Sequence, residues 1–206
     1  MTASTREPSS SNLRDLADVQ DLLDELLRDR FAELSVRPAL YAFSHPTVFF
    51  RSRPTIWSVL RVFGPLLNRI GVNRAVFSAG LPREAARGVL AHELAHTADY
   101  VRGGRLRVLA GLWSLVHPGF KRRYERRMDL EAVLRANAAG LADYRRWLAD
   151  GLEPADFSRK LRWYYSAEEL EAIDLRVRSE PELAAAWRRR PPLTADEIGE
   201  TSEPRS

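Results

Sequence analysis

The stretch VLAHELAHTADY, residues 89–100, decides the reading. It holds two of the chain's four histidines, His92 and His96, with Glu93 directly after the first. An α-helix turns about 100° per residue, so positions i and i+4 lie about 40° apart. On a helix these two imidazoles project side by side and can grip one cation. Glu93 is offset from both, where a general base for an activated water belongs. Two ordinary helix histidines are the plainer alternative. With only four histidines in 206 residues, this three-residue pattern would be a rare accident.

Outward from the motif, Pro82 suits the first turn of a helix, where a missing N–H costs little. Glu84 complements the helix dipole. That helix is expected to run through Val101 and stop near Gly103-Gly104. Asn73–Ser78 reads as a strand leading into the turn SAGLP, while the nature of residues 55–72 stays open. PALYAFSHPTVFF (38–50) reads as a strand, a turn at His45-Pro46 and a second short strand. NLRDLADVQDLLDELL carries leucines and a valine at helical spacing. GFKRRYERRMDLEAVLRANAAG reads as one long helix to Gly140, and LADYRRWLAD as another to Gly151. Ser166 and Glu169 form a capping box, and SEPELAAAWRRR is a last short helix.

These elements predict an α+β fold, predominantly helical, with a small sheet packed on the histidine helix. Residues 1–12 are rich in Ser, Thr and Pro and are expected as a tail. Residues 13–190 form a single domain in this reading, and 191–206 a polar tail.

Zinc usually takes three protein ligands and keeps a fourth position open. The compact pattern H-E-x-x-H-x-x-G-x-x-H is excluded, since Asp99 and Arg102 stand where its glycine and histidine would be. The chain has no cysteine, so His, Asp or Glu must complete the set. YERRMDLEAV offers Glu125 and Asp129, four apart and on the same face as Met128 and Ala132. Glu125 would bind the metal, and Asp129 would accept the N–H of a ligating histidine. A pair of surface acids neutralised by Arg122, Arg126 or Arg127 is the alternative. His117 is a rival ligand, a donor to the reaction intermediate, or a loop residue. His45 reads as a turn residue.

Composition bounds the rest. The chain is 45% hydrophobic and 29% charged, with a formal net charge of +4. Its only lysines are Lys121 and Lys160. The clusters KRRYERR (121–127) and RRR (188–190) read as solvated basic faces, and nucleic-acid binding is not expected. No apolar run is long enough to span a bilayer, and MTASTREPSSSN has no signal-like core. A cytoplasmic location is the expectation. LRVLAGLWSLVHPGFKRR could make weak peripheral membrane contact, although a buried segment is the plainer reading.

HELAH followed 29 residues later by ERRMD resembles the gluzincin zinc metallopeptidases. The resemblance covers about residues 73–135. It implies a zincin-like fold and one zinc ion held by His92, His96 and Glu125. It also implies Glu93 as general base, Asp129 as partner of a ligating histidine, and peptide or protein substrates. The strand just before the histidine helix would be the edge to which an extended peptide adds. The chain departs from close members in lacking membrane spans and in carrying Met128 where many have a small residue. HPGF faintly echoes the Spartan-like proteases, which act on DNA-associated proteins and use a histidine as third ligand. A catalytically silent, metal-stabilised peptide-binding module is a further alternative. His117, Tyr100 and Tyr144 are the candidates for a second donor to the oxyanion.

Overall fold

The computed structural model describes residues 12–55, 67–113, 117–136 and 138–199, with side chains left undescribed over 105–113. The fold is mostly helical with one small mixed sheet. Helix α1 (Leu16–Asp29) starts where the Asp15 side chain accepts the N–H groups of Ala17 and Asp18. Such a cap satisfies donors that the first turn leaves unpaired. Val19, Leu22, Leu23 and Leu26 recur at three and four residues and are fully buried.

Strands β1 (Ala39–Phe43) and β2 (Phe50–Pro54) flank β3 (Asn68–Asn73), in the order β1-β3-β2. β1 runs parallel to β3 and β2 antiparallel. The turn between β1 and β2 is built on His45, whose Nδ1 accepts from Thr47 and Val48 N–H. Asn73 Nδ2 then donates to the carbonyls of His45 and Val48.

The strand expected over residues 73–78 is corrected. β3 ends at Asn73, and Ala75–Ser78 form a one-turn helix, α2. Asn73 Oδ1 accepts from the Ala75 N–H and so diverts the chain from the ladder. A second correction concerns the sheet edge. β3 is the central strand, with both its sides paired, so an added strand can meet only β1 or β2. β2 is the one that contacts the histidine helix.

That helix, α3 (Arg83–Trp113), breaks at Gly104, with φ 59° and ψ −157°. This is the expected stop, because a left-handed backbone suits glycine. The chain then resumes helix up to Trp113. Helix α4 (Pro118–Arg135) is shorter than expected, and Gly140 belongs to the next helix, α5 (Ala138–Gly151). The reason is packing. A Cβ on Gly140 would lie 2.4 Å from the Glu84 carbonyl oxygen, and one on Gly88 would lie 2.2 Å from Leu141 N. The two glycines let α3 and α5 touch backbone to backbone, and Gly140 serves that crossing, not a helix end.

Helices α6 (Pro154–Leu161), α7 (Ala167–Ser179) and α8 (Leu183–Arg189) complete the helical layer. The capping box at Ser166 and Glu169 forms as expected. The tail expected from residue 191 is corrected through Gly199. Tyr165 Oη donates to the Pro192 carbonyl at 2.7 Å, and helix α9 (Ala195–Gly199) buries Ile198. One apolar side chain and two prolines suffice to dock a segment that reads as polar. Residues 1–11 and 200–206, also expected as tails, lie outside the described residues, as do the side chains of the apolar stretch 106–116. Among the described residues, no helix is long and apolar enough to cross a membrane.

Candidate metal centre

His92 and His96 sit one turn apart on α3, both buried. Their Nε2 atoms lie 3.1 Å apart. Helix α4 crosses so that Glu125 Oε2 lies 3.5 Å from His92 Nε2 and 3.3 Å from His96 Nε2. One donor atom from each residue lies within 4.8 Å of the others, and the three could hold a metal ion. Strand β2 and the Gly88–Gly140 crossing brace α3. Asn68 Nδ2 donates to Ser52 Oγ and Thr97 Oγ1, tying the sheet to α3 one residue after His96.

The outer faces of the imidazoles are set by different partners. His92 Nδ1 lies 2.7 Å from Asp129 Oδ1. A carboxylate there favours the proton on Nδ1, and in the neutral imidazole this leaves the Nε2 lone pair facing Glu125. Asp129 is itself fully buried. Arg145 Nη2 donates to its Oδ1 at 2.8 Å, and the Tyr165 N–H to its Oδ2 at 3.0 Å. His96 Nδ1 lies 3.3 Å from Tyr124 Oη. Arg122, Arg126 and Arg127 do not neutralise Glu125 or Asp129. They engage the Leu193 carbonyl, Glu169 and Asp99 instead. The surface-acid reading of the pair therefore fails.

The electrostatics are those of a site short of positive charge. Burial alone would lower the His92 imidazole, but Asp129, Glu125 and Glu93 push it up to about 10. Burial would raise Glu125, yet His96 and His92 hold it well below the usual carboxylate range. Arg145 balances Asp129, whereas Glu125 Oε2 is buried with no hydrogen-bond donor. A cation among two imidazoles and a carboxylate meets that need, and the nitrogen and oxygen donor set suits a divalent ion.

Glu93 is buried beside the cluster, and burial raises its carboxyl above the ordinary range. The backbone N–H of Ser52 is turned towards it and opposes that rise. That direction follows from the ladder. Asn73 donates to Phe49 and Thr55 to Leu67, so odd-numbered residues of β2 pair with β3. In an antiparallel pair the alternate residues face away. Phe50, Ser52 and Pro54 therefore present their backbone groups to the outer edge, beside Glu93.

A cavity of about 40 Å³ opens at Glu93 and His92, walled by Phe50, Tyr144, Tyr164 and Lys160. Tyr164 packs its ring 5.7 Å from that of His92. Burial, reinforced by Glu125, raises its phenol well above the ordinary value and keeps it a proton donor. Of the donors considered from sequence, Tyr144 lines this cavity. Tyr100 stacks on His96. His117 is exposed at the N-cap of α4 and lies outside the three-residue cluster. Sequence reasoning missed Tyr164, Lys160, Arg145 and Ser52. Arg145 carried the one usable signal, a cation on a helix face otherwise made of Leu141, Tyr144 and Leu148.

No protein-family model matches the chain, and neither a characterised protein nor a solved structure shows significant similarity to it.

Proposed function

We propose that this protein is a zinc-dependent peptidase of gluzincin type, with His92, His96 and Glu125 as metal ligands. The observation that carries this reading is the convergence of two buried imidazoles and the half-buried Glu125, with the buried carboxyl of Glu93 beside them. When bound there, zinc would supply Lewis-acid activation of water and of the scissile carbonyl. Glu93 receives the proton of the attacking water and passes it to the leaving amine. Its raised affinity for a proton suits that exchange. Asp129, held by Arg145 and the Tyr165 N–H, keeps His92 in the tautomer whose Nε2 is free. Tyr164 is our choice for the hydrogen-bond donor to the oxyanion, in place of His117 or Tyr100, because it lines the cavity at Glu93. An extended peptide would add along the outer edge of β2.

The test combines metal analysis with cleavage of casein and a degenerate fluorogenic peptide library. Wild type should hold about one zinc per chain and cut. Glu93→Gln should keep the zinc and lose at least about 100-fold in rate. Zinc retained with no cleavage by wild type would favour the silent binding module. Equal cleavage by Glu93→Gln would rule out the mechanism.

A further inference from the structure

On the far side of Tyr124 from His96, α4 and the segment after α8 enclose a groove of about 480 Å³. Its lining includes four arginines, Arg123, Arg127, Arg189 and Arg190, and no carboxylate. Arg127 is taken by Asp99 at 2.8 Å. Arg123, Arg189 and Arg190 are exposed and have no ion-pair or hydrogen-bond partner among the described residues. Arg28, Arg30, Arg53, Arg74 and Arg162 are also exposed without such a partner, so what distinguishes these three is that they line one groove together.

The groove is also built to accept a flat ring. Phe120 lies parallel to Tyr124, with ring centroids 6.2 Å apart and planes at 8°. Among the described residues, Phe120 is the one exposed large aromatic, at 38%. Its exposed part lines the groove. The opposite wall is fixed. Arg122 donates to the Leu193 carbonyl and Tyr165 to the Pro192 carbonyl, so the chain after Arg190 cannot swing away cheaply. Guanidinium groups match phosphate with paired N–H donors, and aromatic faces stack bases with little regard to their identity.

We infer that this groove binds a nucleotide unit, its base against Phe120 and its phosphates on Arg123, Arg189 and Arg190. The volume lies within the range of small-ligand sites. An acidic peptide would meet the same charges, but it has no use for the parallel ring pair. The inference does not rest on the peptidase reading. It departs from the expectation that the two basic clusters are solvated faces. KRRYERR and RRR meet across one groove, and the rings between them give it a second recognition element.

The test is equilibrium binding of the full-length, metal-loaded chain at low salt, with three probes: ADP, a fluorescent oligothymidylate and polyglutamate. Binding of ADP identifies the free nucleotide as a ligand. Binding of the oligothymidylate alone identifies the single strand. Either result supports the inference, provided that Arg189→Glu/Arg190→Glu weakens it about tenfold or more and Phe120→Ala about fivefold or more. Arg123→Glu, on the other helix, should act like the double variant and guards against a local folding defect. Zinc content and circular dichroism should not change. Failure of both nucleotide probes to bind would overturn the inference. So would polyglutamate binding as tightly as they do, or affinity indifferent to Phe120→Ala.

Discussion

At the residue scale, Asp129 links chemistry to stability. It is fully buried between His92, Arg145 and the Tyr165 N–H. Asp129→Ala should weaken zinc binding about 10–100-fold, because the ligating imidazole loses its orienting partner. It should also cost about 3–5 kcal/mol by stranding the Arg145 charge. Competition with a zinc chelator and urea unfolding separate the two effects. Glu125→Ala should abolish zinc retention and His117→Ala should not, read by metal analysis; the reverse result would move the third ligand to His117. The pairs His92/His96 and Glu125/Asp129 were legible because helical geometry relates residues four apart, whereas the meeting of the two pairs depends on how α3 and α4 cross. Tyr164 and Arg145 were not legible. They approach His92 only because α5 and the turn before α7 fold back on it, and no spacing encodes that.

At the element scale, the crossing of α3 and α5 is the tightest joint. Gly88→Ala would put a methyl 2.2 Å from Leu141 N. It should cost the upper end of the roughly 1–3 kcal/mol typical of overpacking, or more, seen as a lower urea midpoint. The backbone there cannot yield as a side-chain end could. This crossing also explains why the α4–α5 boundary was misread. A glycine near a periodic run looks like a stop, and only the partner helix shows that Gly140 is a contact surface. The break at Gly104 was legible because it depends on backbone conformation alone, with no atom within 4 Å of a Cβ placed there. At the end of the chain, Tyr165→Phe should cost about 1 kcal/mol through the lost bond to the Pro192 carbonyl, measured by the same unfolding curve.

At the scale of the whole molecule, the centre joins parts that are distant in sequence. α3 and α4 supply the candidate ligands, α5 supplies Arg145, and the Tyr165 N–H reaches Asp129 from just before α7. Metal that binds only the folded state stabilises it, by about 2.7 kcal/mol at a free concentration 100 times the Kd. Chelation should therefore lower the Tm, re-addition of zinc should restore it, and His96→Ala should show no such response. The α+β balance was legible from periodicity, whereas the strand order was not. A central β3 is a matter of pairing across 14 to 30 residues, which local pattern does not carry.

The outer edge of β2 is nearly spent as a donor. Pro54 has no N–H to give, and that of Ser52 is turned towards Glu93. The carbonyls of Phe50, Ser52 and Pro54 can still accept. A guest chain would thus be paired mainly through its own N–H groups. Methylating those nitrogens should weaken it more than replacing its carbonyl groups.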